Sequence, residues 1–206
     1  MEAEFYGANC LRLKTKIASV VIDDYKAEKG KNITSKDDIA VYTRKTSREV
    51  ESKFFIDHPG EFEVNDISIQ GIPARSHTDE KDKNDAIIYR LIINDFRIAV
   101  IGHIYPDLSE AQLEALGMID ILFIPVGGNG YTLDADGALK VIKKIGPRVV
   151  VPTHYGDKKI KYEVPQAELD DVRKTLSMEP AEELDQLKLK SRDFAEGTKL
   201  IILKRH

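Results

Sequence analysis

The chain has 206 residues, with 31 Lys and Arg against 35 Asp and Glu, a formal net charge of −4, five His, one Cys and no Trp. With 42% hydrophobic residues it can bury a substantial core, which excludes a disordered chain, and a single cysteine excludes a disulfide framework and any Cys-rich zinc module. No apolar run approaches the ~20 residues that cross a bilayer, the Met-Glu-Ala-Glu start lacks the features of a signal peptide, and the acidic balance argues against a broad nucleic-acid surface, so a cytosolic protein is expected.

From Glu2 to Asp24 short apolar pieces (Phe5-Tyr6, Leu11 to Leu13, Ile17 to Ile22) alternate with turn signals at Gly7-Ala8-Asn9 and Lys14-Thr15-Lys16, the pattern of strands and turns. Lys26 to Lys36 reads as an exposed loop, and Asp38 to Tyr42 as another strand. Residues 61–71 predict a hairpin turning at Asn65-Asp66, and Ala86 to Ile101 predicts a second turning at Asn94-Asp95. The rhythm then changes. Ser109 and Gln112 fit a capping box, Leu113 and Leu116 supply an apolar face, and Gly117 ends a short helix before the buried strand Ile119 to Val126. Ala138, Val141, Ile142 and Ile145 recur at helical spacing until Gly146-Pro147, and Val149 to Val151 begins another strand. Pro165 to Leu176 reads as an amphipathic helix, and strands around Leu187 to Leu189 and Leu200 to Leu203 flank a Glu196-Gly197 turn. Without a repeat or linker, residues 1–206 read as one α/β domain of sheets covered by helices.

Four apolar strands run into polar or flexible residues, at Asp23-Asp24, Gly102-His103, Gly127-Gly128 and Thr153-His154. Ligands of layered α/β proteins sit outside the carboxyl ends of strands, so parallel neighbours would bring His103 and His154 to one rim. His77, at the end of the segment from Ile69 to Ser76, can join them from a loop. Three imidazoles meeting there would make a catalytic type of zinc set with one open position. His58, beside Pro59-Gly60, reads as a turn residue, His206 as an exposed tail and Cys10 as a small core residue. Gly127-Gly128-Asn129-Gly130 fits neither a dinucleotide fingerprint nor a P-loop.

Taken together, Asp57-His58-Pro59-Gly60-Glu61-Phe62-Glu63-Val64, Gly71-Ile72-Pro73 leading to His77, Ile101-Gly102, Ile124-Pro125-Val126-Gly127-Gly128 with Tyr131 to Ala135, and Val151-Pro152-Thr153-His154-Tyr155 resemble the small prokaryotic branch of the metallo-β-lactamase superfamily. The resemblance covers nearly the whole chain. It implies an αββα four-layer sandwich and kinship to zinc- or manganese-dependent hydrolases. It also exposes departures. Where such proteins carry His-x-His-x-Asp-His, this chain has Arg44-Lys45-Thr46-Ser47-Arg48-Glu49, with Ala8 and His103 at two further positions that commonly bear a metal-site His and Asp. Only His77 and His154 stand where the resemblance puts ligands.

Guanidiniums stay protonated and cannot ligate a metal, and a metal-bound water of lowered pKa is what the usual hydrolysis needs. The first reading is therefore a superfamily fold without the dinuclear metal, with no cofactor expected, whose Arg44 and Arg48, with Glu49 beside them, bind an anionic small molecule. The second is a mononuclear zinc hydrolase using His77, His103 and His154, with Glu49 as a further candidate ligand. A third is a structural or interaction module in which Arg44 and Arg48 point outward to acidic neighbours.

Overall fold

The computed structural model describes residues 1–25, 32–47, 50–81, 83–178, 180–190, 194 and 196–206. In chain order the first half carries β1 (Glu2–Gly7), β2 (Cys10–Lys14), β3 (Ser19–Ile22), β4 (Ile39–Val41), β5 (Phe54–Ile56), β6 (Gly60–Val64), β7 (Ile67–Ala74), β8 (Ala86–Ile93) and β9 (Phe96–Val100). The second half alternates: α1 (Glu110–Leu116), β10 (Ile121–Pro125), α2 (Ala135–Ile145), β11 (Val149–Thr153), α3 (Leu169–Leu176), β12 (Pro180–Leu184), β13 (Leu187–Lys188) and β14 (Lys199–Leu203). The strands form two mixed sheets, one in the order β13-β1-β2-β3-β4-β5 and one in the order β12-β14-β11-β10-β9-β8-β7-β6. Among the described residues no helix is long and apolar enough to cross a membrane.

Side-chain alternation explains the layering, because successive strand residues face opposite sides. In β10, Ile121 and Phe123 enter the core between the sheets with Leu11, Ile22, Val41, Leu91 and Val151. Leu122 and Ile124 face the other way, into a second core that Leu116 of α1, Val141 and Ile142 of α2, and Val172 and Leu176 of α3 complete. Strands buried on both faces read as continuous apolar runs, which is why this one is unbroken in the sequence.

Local chemistry sets the turns and helix ends. Asn65-Asp66 and Asn94-Asp95 all have positive φ, between 48° and 68°, as tight two-residue hairpins require. Ser109 and Gln112 form the reciprocal capping box, and Asp134 caps α2 by accepting from the Gly137 N–H at 2.8 Å. The strand expected from Ile119 starts at Ile121, because Asp120 is spent on a half-buried ion pair with Arg97 (2.6 Å). The helix expected from Pro165 starts only at Leu169, since the Ala167 N–H donates to the Gly127 carbonyl at 2.8 Å. Of the loop expected over 26–36, residues 26–31 lie outside the described residues.

Where the strands end, one buried carboxylate joins the two sheets. Asp23, just past β3, accepts from the Thr43 N–H and hydroxyl, both at 2.7 Å, and from the Asn9 amide at 2.7 Å. Asn9 in turn accepts from the Thr153 hydroxyl of β11 at 2.6 Å, and the Thr43 carbonyl accepts from the Ile87 N–H of β8 at 2.7 Å. Asp23, Asn9, Thr43 and Thr153 are all buried. Burial pushes the Asp23 carboxyl up from its ordinary range, against the pull of the Thr43 and Asn9 hydrogen bonds. Asp23→Ala leaves three donors without an acceptor, each costing about 1–3 kcal/mol, so urea unfolding of the variant should show a loss of about 3–5 kcal/mol; a loss below ~1 kcal/mol would contradict the linking role.

Candidate functional site

The ends of β9, β10 and β11 lie side by side because these strands are parallel neighbours. Gly102 leaves β9 directly above Thr43, with no room for a Cβ against the threonine side chain, and His103 follows. His154 leaves β11 with φ of 52°, a left-handed backbone held by its N–H donating to the Ala8 carbonyl at 2.6 Å. The two imidazoles meet edge to face with centroids 4.6 Å apart. Tyr131, from the glycine-containing loop after β10, packs on the His103 ring at 4.8 Å, and Tyr162 packs on His154 at 5.1 Å.

Arg44 lies at the exposed rim, near enough for its charge to act on both rings. Its backbone bridges Ala86 in the other sheet, and its guanidinium lies over the Tyr25 ring, 5.2 Å from the centroid. Burial works against its charge, but Tyr25, Tyr131 and Asp23 outweigh that and raise its already high pKa. Its field reaches both imidazoles. His103 is pushed down to about 3, first by burial and then by His154 and Arg44, while a backbone hydrogen bond with Tyr131 opposes the shift. Burial also lowers His154, and Arg44 adds to this, against a hydrogen bond from its ring to the Gln166 amide oxygen. The ring pair is therefore neutral near pH 7 beside a permanent cation.

Among the sequence-derived candidates, His103, His154 and Arg44 come together. His77 is joined to His103 through its backbone N–H, which donates to the His103 carbonyl at 2.9 Å, while its ring lies 6.2 Å from that of Tyr105. Arg48 and Glu49 lie outside the described residues. Among the described residues, no three His, Cys, Asp or Glu side chains form a group able to hold a metal ion. His103 Nδ1 is buried and, among the described residues, without a hydrogen-bond partner.

Gln166 was not foreseen, having been read as part of a helix. Its Oε1 lies 3.1 Å from His154 Nδ1, and its Nε2 donates to the Val164 carbonyl at 2.9 Å. Gly127 makes room for it, since a Cβ there would overlap both the Gln166 amide and the His154 carbonyl. Asn129, in the same loop, donates to the Pro165 carbonyl. Only the Gly127-Gly128 signal hinted at so close an approach.

The depressed imidazoles make an acid-side prediction. A group held neutral in the fold but free to charge at about pH 6.5 when unfolded loses stability as pH falls below that value, by up to about 1.4 kcal/mol per pH unit, until the folded-state value is reached. Unfolding free energies of chelator-treated protein should fall from pH 6.5 toward pH 3, and His103→Phe should flatten that slope. An unchanged slope would show that His103 is not held neutral.

The likeness to known proteins agrees with the fold. Residues 2–154 match the family model described as a beta-lactamase superfamily domain. A UPF0173 protein of Pyrococcus abyssi is 28% identical over 179 residues, covering 76% of this chain and 84% of its own. A UPF0173 metal-dependent hydrolase of Pyrococcus horikoshii is 29% identical over 130 residues, 61% of this chain and 56% of its own. The crystal structure of a metallo-β-lactamase-superfamily protein from Thermotoga maritima superimposes with a TM-score of 0.75 at 23% identity, covering 98% of both chains. With the matched sandwich and this strand-end site, the chain belongs to the metallo-β-lactamase superfamily.

Proposed function

We propose that the strand-end site binds an anionic small molecule at Arg44 and does not hydrolyse it by the superfamily's dinuclear metal route. The observation that carries this reading is a guanidinium whose charge acts on both His103 and His154, at the first position of the segment where the resemblance puts metal ligands. A dinuclear centre does not fit these residues: a cation that cannot be deprotonated occupies the place of a ligand, and it repels a dication from the imidazoles it faces. An exposed guanidinium fork braced on Tyr25 is suited instead to a phosphate or carboxylate.

A second reading has its own support. His103 Nδ1 is buried without a partner among the described residues, and Gln166 backs His154 as second-sphere groups back metal-bound histidines. Relatives named as metal-dependent hydrolases agree with it. In that reading His103 and His154, with His77, hold one zinc ion whose charge activates water for hydrolysis.

Two measurements separate these. Metal analysis after exposure to excess zinc or manganese should find well under one ion per chain; near one zinc, lost in His103→Ala, selects the second reading. Inorganic phosphate should bind chelator-treated protein, and Arg44→Ala should weaken it by about 10- to 100-fold, the value of a charge-assisted hydrogen bond. Equal binding by the variant removes Arg44 from the site.

A further inference from the structure

We infer that the end of the sandwich remote from His103 and His154 holds a second binding site, which takes an anionic amphiphile with a single hydrocarbon chain. The inference concerns a different part of the molecule from the strand-end site and holds whichever way that site is read.

Strand direction places this end. β2 runs from Cys10, next to the Asn9 that bonds Thr153, to Lys14, and β9 runs from the hairpin turn at Asn94-Asp95 toward Gly102. Lys14 and that turn therefore lie at the pole opposite the strand-end site. A cleft of about 530 Å³ opens there, within the roughly 300–1,000 Å³ of small-molecule sites. The start of β1, the turn after β2 and the chain around β13 form its walls on the six-stranded sheet, and Asn94 lines it from the other sheet.

One part of the cleft is apolar. Met1 and Leu189 pack against the core between the sheets, and the Leu189 N–H donates to the Met1 carbonyl at 2.9 Å, which keeps the two together. Ile17 extends this surface outward and is 67% exposed. Its exposure is built into the turn: the Thr15 hydroxyl accepts from the Ile17 N–H at 3.2 Å and from the Ala18 N–H at 2.9 Å, holding the tip in place.

The other part is cationic. Lys14, Lys16, Lys188 and Lys190 line the cleft with a single carboxylate, Glu2, in a chain whose net charge is −4. Strand register sets Glu2 between Lys14 and Lys188, but Lys14 is bonded to Glu4 at 2.8 Å and Lys188 lies 3.9 Å from Glu2. Lys16 and Lys190 are exposed and make no ion pair among the described residues. A hydrocarbon chain laid against Met1, Ile17 and Leu189 gains by leaving water, and lysine stems add apolar surface while their ammonium groups stay at the rim. The head group gains only if it is negative. A bare anion would leave the apolar wall wet, and a neutral or cationic chain would leave Lys16 and Lys190 uncompensated.

Calorimetry with hexanoate, octanoate and octylammonium below micelle formation reads both halves of the site. The two added carbons of octanoate should tighten binding about tenfold over hexanoate, and octanoate should bind about tenfold more tightly than octylammonium. Lys16→Glu combined with Lys190→Glu should remove the preference for octanoate over octylammonium, and Ile17→Ser should shrink the gain from the added carbons; all three positions are exposed, so the fold should tolerate the changes. Amide shifts induced by octanoate should centre on residues 15–17, Asn94 and residues 188–190, leaving Gly102, His103 and His154 unmoved. Equal affinities within either comparison, indifference to the lysine reversals, or shifts centred on His103 and His154 overturn the inference. So does a protein that binds no octanoate but sediments with phosphatidylserine vesicles, since the lysines would then serve a membrane surface and not a single chain.

Discussion

The strand-end geometry depends on the carboxylate of Asp23. It lies at the seam where the six-stranded sheet meets the eight-stranded one, out of contact with solvent, and its two oxygens take three donors from Thr43 and Asn9. A charge in such a place is tolerated only because its hydrogen bonds replace those of water. Each partner passes the constraint on: Asn9 to Thr153 beside His154, and Thr43 to Ile87 and to the backbone from which Arg44 projects. The functional side chains stand on residues adjacent to this network, not in it, so they are positioned by bonds they do not themselves make.

What the site then offers is an asymmetry of charge. Two imidazoles are kept neutral by burial and by a guanidinium, and that guanidinium is kept charged by aromatic and acidic neighbours. The sandwich alone does not say which chemistry follows, because many reactions share one scaffold and differ in their sites. In the anion-binding reading, the difference from a hydrolytic metal centre would come down to side-chain identity in the short segment that begins at Arg44.

Much of this was legible in the residues. Asn-Asp pairs set both hairpins, a capping box set α1, and runs such as Ile121 to Pro125 marked strands buried on both faces, whose ends carry His103 and His154. The misses have physical causes. β12, Pro180–Leu184, is an outer strand beginning with proline and rich in glutamate, and β5 has three residues, too few for a period to show. The residues ahead of α3 have helical composition but give their hydrogen bonds to the loop after β10. Gln166 was invisible for the same reason: its partner lies 12 residues away, across a turn that composition does not reveal. Arg44 was found because its residue type clashed with the resemblance, and its bracing by Tyr25 and its bridge to Ala86 needed three dimensions.

That bridge has a wider consequence. The position of residue 44 is set by its backbone pairing with Ala86 and by the hold of Asp23 on Thr43, neither of which involves the side chain at 44. The platform is thus indifferent to what it carries. A side chain of different chemistry at this point requires no change of fold, because the bonds that place its backbone leave every strand where it is.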